Sequence, residues 1–303
     1  MQRKDWIMVI TCLGAMALGL LFPDQTSFFA PLAKGCMMVI LYLNFLDILP
    51  YEVVGAVGRR KGEVLCFLGV KMLLLPALAY GLFSFFWPKY ALSALLLGGI
   101  SCGVAGPVFA GMFSANAAYA TALIFLTSMI VPLTLPLLVQ FFSGLSLDLS
   151  LWQMMGILAE VVLVPFFLAA FSRRFFPRVV APCRKVRYSV IIVLFSILNM
   201  GIFSAYGHEV AEHPGTLLTT VGVDTILALL FFFLPLFLFR KSYDGAINAS
   251  IGCGIINNAI AVVFAASQFG ATEAITAALY SIPYFICLIP LGMVTRRIYG
   301  ATP

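Results

Sequence analysis

Apolar residues run along this chain in long blocks, and polar residues are confined to short gaps between them. Blocks near the 17 to 25 residues that cross a bilayer fall at Trp6–Phe22, Pro31–Leu49, Glu63–Trp87, Ala91–Phe113, Ala117–Phe142, Leu151–Phe171, Tyr188–Tyr206, Thr216–Phe239, Ala246–Phe264 and Thr272–Met293. The pattern predicts ten transmembrane helices with both termini on one side. Two of the blocks contain their own interruption. The fourth carries Ile100-Ser-Cys-Gly-Val-Ala-Gly-Pro107 and the ninth Ile251-Gly-Cys-Gly-Ile-Ile-Asn-Asn258. Irregular backbone at membrane depth persists only where it is buried in protein or lines a cavity, so two such breaks point to a transport site.

Composition agrees with the pattern. Of 303 residues 62% are hydrophobic and 10% charged, against about 25% charged in an average soluble domain. The segment after Trp6 shows no small-residue cleavage site, so it is expected to be a retained first span and not a signal peptide. The seven cysteines form no CxxC pair, and free thiols are expected rather than a disulfide or metal framework. The net charge of +6 sorts by side. With the N-terminus cytoplasmic, 15 of the 18 basic residues lie inside, Lys34 and Lys89 lie outside, and Lys71 lies within a span. The positive-inside rule therefore places both termini in the cytoplasm of a cell-membrane protein. That distribution needs no nucleic-acid partner, although the long basic loop from Arg173 to Arg187 can rest on anionic headgroups. Trp6, Trp87 and Trp152 fall at span ends, where an amphipathic ring prefers to sit.

The chain also repeats. Cys102-Gly103 matches Cys253-Gly254 at an offset of 151 residues, and Pro132 matches Pro283 at the same offset. Gly69-Val70-Lys71 matches Gly222-Val223-Asp224 at 153, and Leu43-Asn44 matches Leu198-Asn199 at 155. Residues 1–145 and 146–303 are thus expected to be two five-helix repeats of one membrane domain. Five is odd, so the second repeat is inverted.

Candidate chemistry gathers at the breaks. Gly98, Gly99, Gly103 and Gly106 precede Pro107, which suits the first turn of a second half-helix. Gly252, Cys253 and Gly254 precede Asn257 and Asn258, whose amides can satisfy freed backbone or contact a ligand. Two half-helix N-termini converging there favour an anion; the alternative is that the glycines only permit close helix packing. Lys71 and Asp224 occupy equivalent positions in the repeats, where an ionisable group needs a partner or a water-filled cavity. They form either a structural ion pair or a functional site in which Lys71 presents its ammonium to the break in the ninth span, as counter-ion, proton carrier or both. Asn44 and Asn199 either line the cavity or bond between helices. Glu160 needs a partner the sequence does not name, Asp47 is a capping or solvated group, and His208 and His213 read as solvated loop residues. No nucleotide-binding loop, metal-ligand cluster or catalytic triad is present in the sequence, so no cofactor, metal or catalytic residue is expected.

These residues resemble the bile acid:sodium symporter family and its wider superfamily, which includes auxin-efflux-type carriers. The resemblance covers nearly the whole chain. It rests on Lys71-Met-Leu-Leu-Leu-Pro-Ala-Leu-Ala79, similar to a family Gln-x-x-x-x-Pro-x-x-Ala; on Gly98-Gly99, Asn116 and Pro132; and on Gly254, Asn257 and Ala261, similar to Glu-x-Gly-x-Gln-Asn-x-x-x-Ala. It implies an all-α polytopic fold with broken, crossing fourth and ninth helices. It also implies a panel of spans one, two, six and seven moving against a core of spans three to five and eight to ten. The departures are specific. The family's sodium-binding glutamate and glutamine of span nine fall on Gly252 and Ile256, its span-five Ser and Thr on Ala120 and Ile124, and its span-three glutamine on Lys71. Its span-four Ser-Asn pair falls on Cys102 and Gly103, or on Gly106 and Pro107. The expectation is a sodium-independent secondary transporter of a small organic anion, with Lys71 in place of the coupling cation. The rivals are a sodium symporter with other ligands and a receptor or scaffold using the basic loop. No ring of charged or carbonyl-rich sequence suggests a channel.

Overall fold

A bilayer offers backbone groups no water, so each spanning segment must satisfy its own N–H and C=O groups, and a chain this apolar must be helical. A computed structural model describes residues 3–48, 50–58, 60–143, 150–212 and 214–300. Among these the secondary structure is helical apart from one isolated β-bridge. The helices are α1 (Arg3–Leu21), α2 (Ala33–Phe45), α3 (Pro50–Gly58), α4 (Lys61–Phe86), α5 (Ala91–Gly99), α6 (Gly106–Met112), α7 (Ala117–Ser143), α8 (Leu151–Phe175), α9 (Pro177–Glu212), α10 (Pro214–Leu238), α11 (Tyr243–Gly254), α12 (Asn258–Gln268), α13 (Ala271–Leu279) and α14 (Ser281–Tyr299). A helical turn at Pro23–Thr26 and a 3-10 turn at Ser27–Leu32 lead into α2.

Seven helical stretches among the described residues are long and apolar enough to cross a membrane: Pro23–Phe45, Lys61–Phe86, Ala117–Phe142, Leu151–Phe175, Val186–His208, Gly215–Leu238 and Ala271–Tyr299. The protein is therefore an all-α, multi-pass membrane protein. The 19-residue α1 and the two interrupted segments, α5–α6 and α11–α12, stand outside that count. The interruptions lie where the glycines, Pro107 and Asn257 predict them.

Contacts join the helices into two groups linked by α8, which packs on both α2 and α7. α1 and α2 pack on α9, and α2 also on α8. α4 packs on α5, α10 on α11, and α6 on α7. Polar clamps hold α2 to its neighbours. Arg173 of α8 donates to the carbonyls of Phe45, at 2.6 Å, and Ile48 at the end of α2, and Arg187 of α9 pairs with Asp47. Lys34 of α2 lies 2.8 Å from Glu160, the partner that the sequence left unnamed.

Several local expectations are corrected. The basic stretch from Arg173 to Arg187 is not a loop: α8 runs to Phe175 and α9 begins at Pro177, and Arg173 and Arg187 are tied from these helices to the end of α2. Asp47 is neither a cap nor simply solvated, because it holds Arg187. His208 is solvent-exposed as expected but lies in α9 and not in a loop, with its Nε2 3.3 Å from Asp24 Oδ1, and His213 is outside the described residues. A helix also occupies the connection between the second and third blocks, where α3 packs on α7.

Candidate functional site

The two breaks meet. α5 ends when Ile100 turns to extended backbone, and Pro107 lies in the first turn of α6. α11 ends when Ile255 does the same. Between these ends the two strands pass antiparallel, with Cys102 opposite Ile256. The Gly103 N–H donates to the Ile255 carbonyl at 2.6 Å and the Asn257 N–H to the Ser101 carbonyl at 2.9 Å. Each break thus supplies hydrogen bonds that the other lost with its helix, which is what makes irregular backbone tolerable at this depth. The Cys102 N–H donates to Thr127 Oγ1 of α7 at 3.1 Å, fastening the crossing to an intact helix.

The glycines are there for close approach. A Cβ on Gly103 would lie 2.4 Å from the Ile256 carbonyl oxygen, and one on Gly254 would lie 2.4 Å from the Phe232 ring. At Gly252 it would meet Phe67 at 3.0 Å, whereas at Gly106 the nearest atom, on Ile124, is at an ordinary 3.5 Å.

Both half-helices end in carbonyls that α-helical bonding leaves free. Lys71 Nζ donates to the Gly98 carbonyl at 3.0 Å, and the Tyr280 hydroxyl donates to the Gly254 carbonyl at 2.8 Å. The two breaks are therefore capped in the same way by different chemistry. Lys71 is 0% exposed and projects from a π-helical turn, Val70–Leu74, inside α4. Such turns re-aim a side chain and recur at functional sites. Cys102 and Cys253 are its electrostatic neighbours, and the Phe231 ring centroid is 5.9 Å from Nζ. An ammonium at the C-terminal end of α5 also faces the negative end of that helix dipole.

Three sequence readings change here. Lys71 hydrogen-bonds the break of the fourth block, at Gly98, while Cys253 of the ninth is also its electrostatic neighbour. Asp224 does not pair with it: Asp224 is 0% exposed and neither carboxylate oxygen has a hydrogen-bond partner. The positive end of α12 is also occupied, since Asn257 Oδ1 accepts the Ile260 N–H at 3.4 Å as its N-cap, and α6 is a helix of only seven residues. Among the described residues, Asn257 Nδ2, Asn258 Oδ1 and the Ser101 and Ser128 hydroxyls are buried without hydrogen-bond partners.

Asn44 and Asn199 do not join the crossing. Each donates its amide to the carbonyl four residues back in its own helix, Ile40 at 2.8 Å and Phe195 at 2.9 Å. Thr127 and Tyr280 are site residues that sequence reasoning passed over. A hydroxyl inside an otherwise apolar block was the available signal for each. Tyr280→Phe is expected to lower stability by about 0.5–1.5 kcal/mol through the lost Gly254 cap; a thermal melt of the purified protein in detergent, compared with wild type, checks this.

The far end of the crossing is anchored as well. Asp244 in the first turn of α11 pairs with Arg60 at 2.5 Å and accepts the Asn116 N–H at 2.6 Å, while the Tyr243 hydroxyl donates to the Phe113 carbonyl at 2.6 Å. The start of α11 is thereby tied to the turn between α6 and α7.

The sequence profile of the Sodium Bile acid symporter family matches residues 35–211 of this chain. The chain is also similar to the uncharacterized sodium-dependent transporter YocS of Bacillus subtilis (strain 168), with 21% identity over 226 residues that cover 74% of this chain and 70% of that protein.

Proposed function

Because the chain belongs to the Sodium Bile acid symporter family, we propose that it is a secondary transporter moving a small organic anion by alternating access, without sodium as the coupling ion. Ten spans form two inverted repeats, residues 1–145 and 146–303, and the crossing of α5–α6 with α11–α12 is the transport site. The helices α1, α2, α8 and α9 form the moving panel, a division supported by the way they pack on one another.

One observation carries the sodium-independent reading: a fully buried Lys71 with its Nζ on the Gly98 carbonyl, beside the crossing and next to Cys102 and Cys253. A fixed ammonium there repels a metal cation and supplies charge for an anion. The residues Gly252, Ile256, Ala120 and Ile124, on which the family's sodium ligands fall, bring no side-chain oxygen.

A sodium-coupled reading is favoured by a different observation. The Ser101 and Ser128 hydroxyls and Asn258 Oδ1 are buried oxygens without partners, and the relative YocS is described as sodium-dependent. Proteoliposome uptake of a panel of labelled organic acids, with sodium and proton gradients imposed one at a time, separates the two. Accumulation that survives complete removal of sodium is expected; strict dependence on sodium would sink our reading.

A further inference from the structure

We propose that Asp224 is a proton-binding site within this transporter, reached from the Thr220 end of α10; its coupling role rests on the transport function proposed above. Asp224 sits ten residues after Pro214 and fourteen before Leu238, so it lies about 15 Å and about 21 Å from the ends of α10 at about 1.5 Å per residue. It is 0% exposed, and neither carboxylate oxygen has a hydrogen-bond partner. A bare carboxylate with no donor at that depth is among the most expensive groups a membrane protein can hold. A carboxylic acid carrying its own proton is not.

The surrounding groups leave that proton to Asp224. Tyr280, at the junction of α13 and α14, is its electrostatic neighbour, and the Tyr280 hydroxyl proton is committed to the Gly254 carbonyl. Cys253 of α11 and Cys287 and Tyr284 of α14 share the Tyr280 environment and bring no positive charge. Lys71 of α4 is turned to Gly98. Among the described residues no cation pairs with Asp224. A metal ion would need a cage of several oxygens, and the nearby hydroxyls are engaged: Tyr280 on Gly254, and Thr220 with Tyr90.

That last pair marks the route. Thr220 lies one turn, about 6 Å, from Asp224 along α10, and its hydroxyl is 3.3 Å from the buried Tyr90 hydroxyl, next in the chain to the exposed Lys89. A proton entering there converts the Asp224 carboxylate to the acid. The opposite state of the cycle must hydrate the group, so that the proton leaves to water on the other side and the carboxylate is restored.

Infrared difference spectroscopy of the purified protein in lipid nanodiscs, across a step in pH, tests this without any substrate. The carbonyl stretch of a buried carboxylic acid is expected in wild type and should be lost in Asp224→Asn; Asp224→Glu should restore a shifted band. If Asp224→Asn fails to fold, the wild-type to Asp224→Glu shift carries the same information. Identical spectra for all three proteins would overturn the proposal, as would a band that disappears on adding sodium at constant pH. Wild-type proteoliposomes that transport none of the acids while the Asp224 band persists would remove the transport reading and leave the proton site standing.

Discussion

Replacing Lys71 with alanine is expected to lower organic-anion counterflow about 10- to 100-fold and to destabilise the protein, whereas Lys71→Gln should lower counterflow as much with less loss of stability. The Lys71 Nζ to Gly98 carbonyl contact is a buried hydrogen bond, worth about 1.5–3 kcal/mol when the amine is charged. Spent on the substrate-bound state, that energy corresponds to a loss of about 10- to 100-fold. Glutamine can still donate to the Gly98 carbonyl but carries no charge, so it separates the cap from the counter-ion. If counterflow in Lys71→Gln matches wild type at every pH, the ammonium has no part in transport and Lys71 is a helix cap alone. Melting curves on the same preparations report the capping contribution independently.

Gly103→Ala is expected to cause the largest loss of stability of any single methyl added near the site. Its Cβ would sit 2.4 Å from the Ile256 carbonyl oxygen, which is main chain in the opposing strand and cannot swing away as a side chain would. Relief requires parting the strands, which breaks the 2.6 Å bond from the Gly103 N–H to the Ile255 carbonyl and leaves buried polar groups unpaired. Overpacking costs about 1–3 kcal/mol, and the orphaned groups add about 1–3 kcal/mol more. Gly106→Ala is the control, since its new Cβ meets Ile124 at an ordinary 3.5 Å. The two variants should differ sharply in the fraction that remains monodisperse after solubilisation and in melting temperature. Equal behaviour would mean that the strands are not held against each other as described.

Much of the fold was legible in the chain because a bilayer imposes a length on apolar runs. The block Ala117–Phe142 became α7 almost unchanged, and the Gly-rich runs before Pro107 and Asn257 became breaks, since clustered glycines weaken a helix while Pro107 and Asn257 suit the start of a new one. Arg173 to Arg187 misled, because charge density was read as loop, although α8 and α9 extend past the apolar blocks and cover that stretch. Asn44 and Asn199 misled for a related reason. A polar residue in a span signals a need for a partner, and theirs was a carbonyl one turn back in the same helix.

The crossing shows where that legibility stops. The sequence by itself determined that helices would fill the membrane, that two would break, and that one lysine and one aspartate would be stranded within spans, because these follow from hydrophobic length and local backbone preference. Only the tertiary structure decided that the breaks bond to each other, that Lys71 and Tyr280 cap their ends, and that Lys71 and Asp224 stay apart. The physical reason is that the two breaks, like Lys71 and Asp224, are about 150 residues apart in the chain, and that even the caps join different helices, 27 and 26 residues apart. The π-helical turn at Val70–Leu74 aims the ammonium at Gly98, a direction that residue spacing in an ideal helix does not reveal.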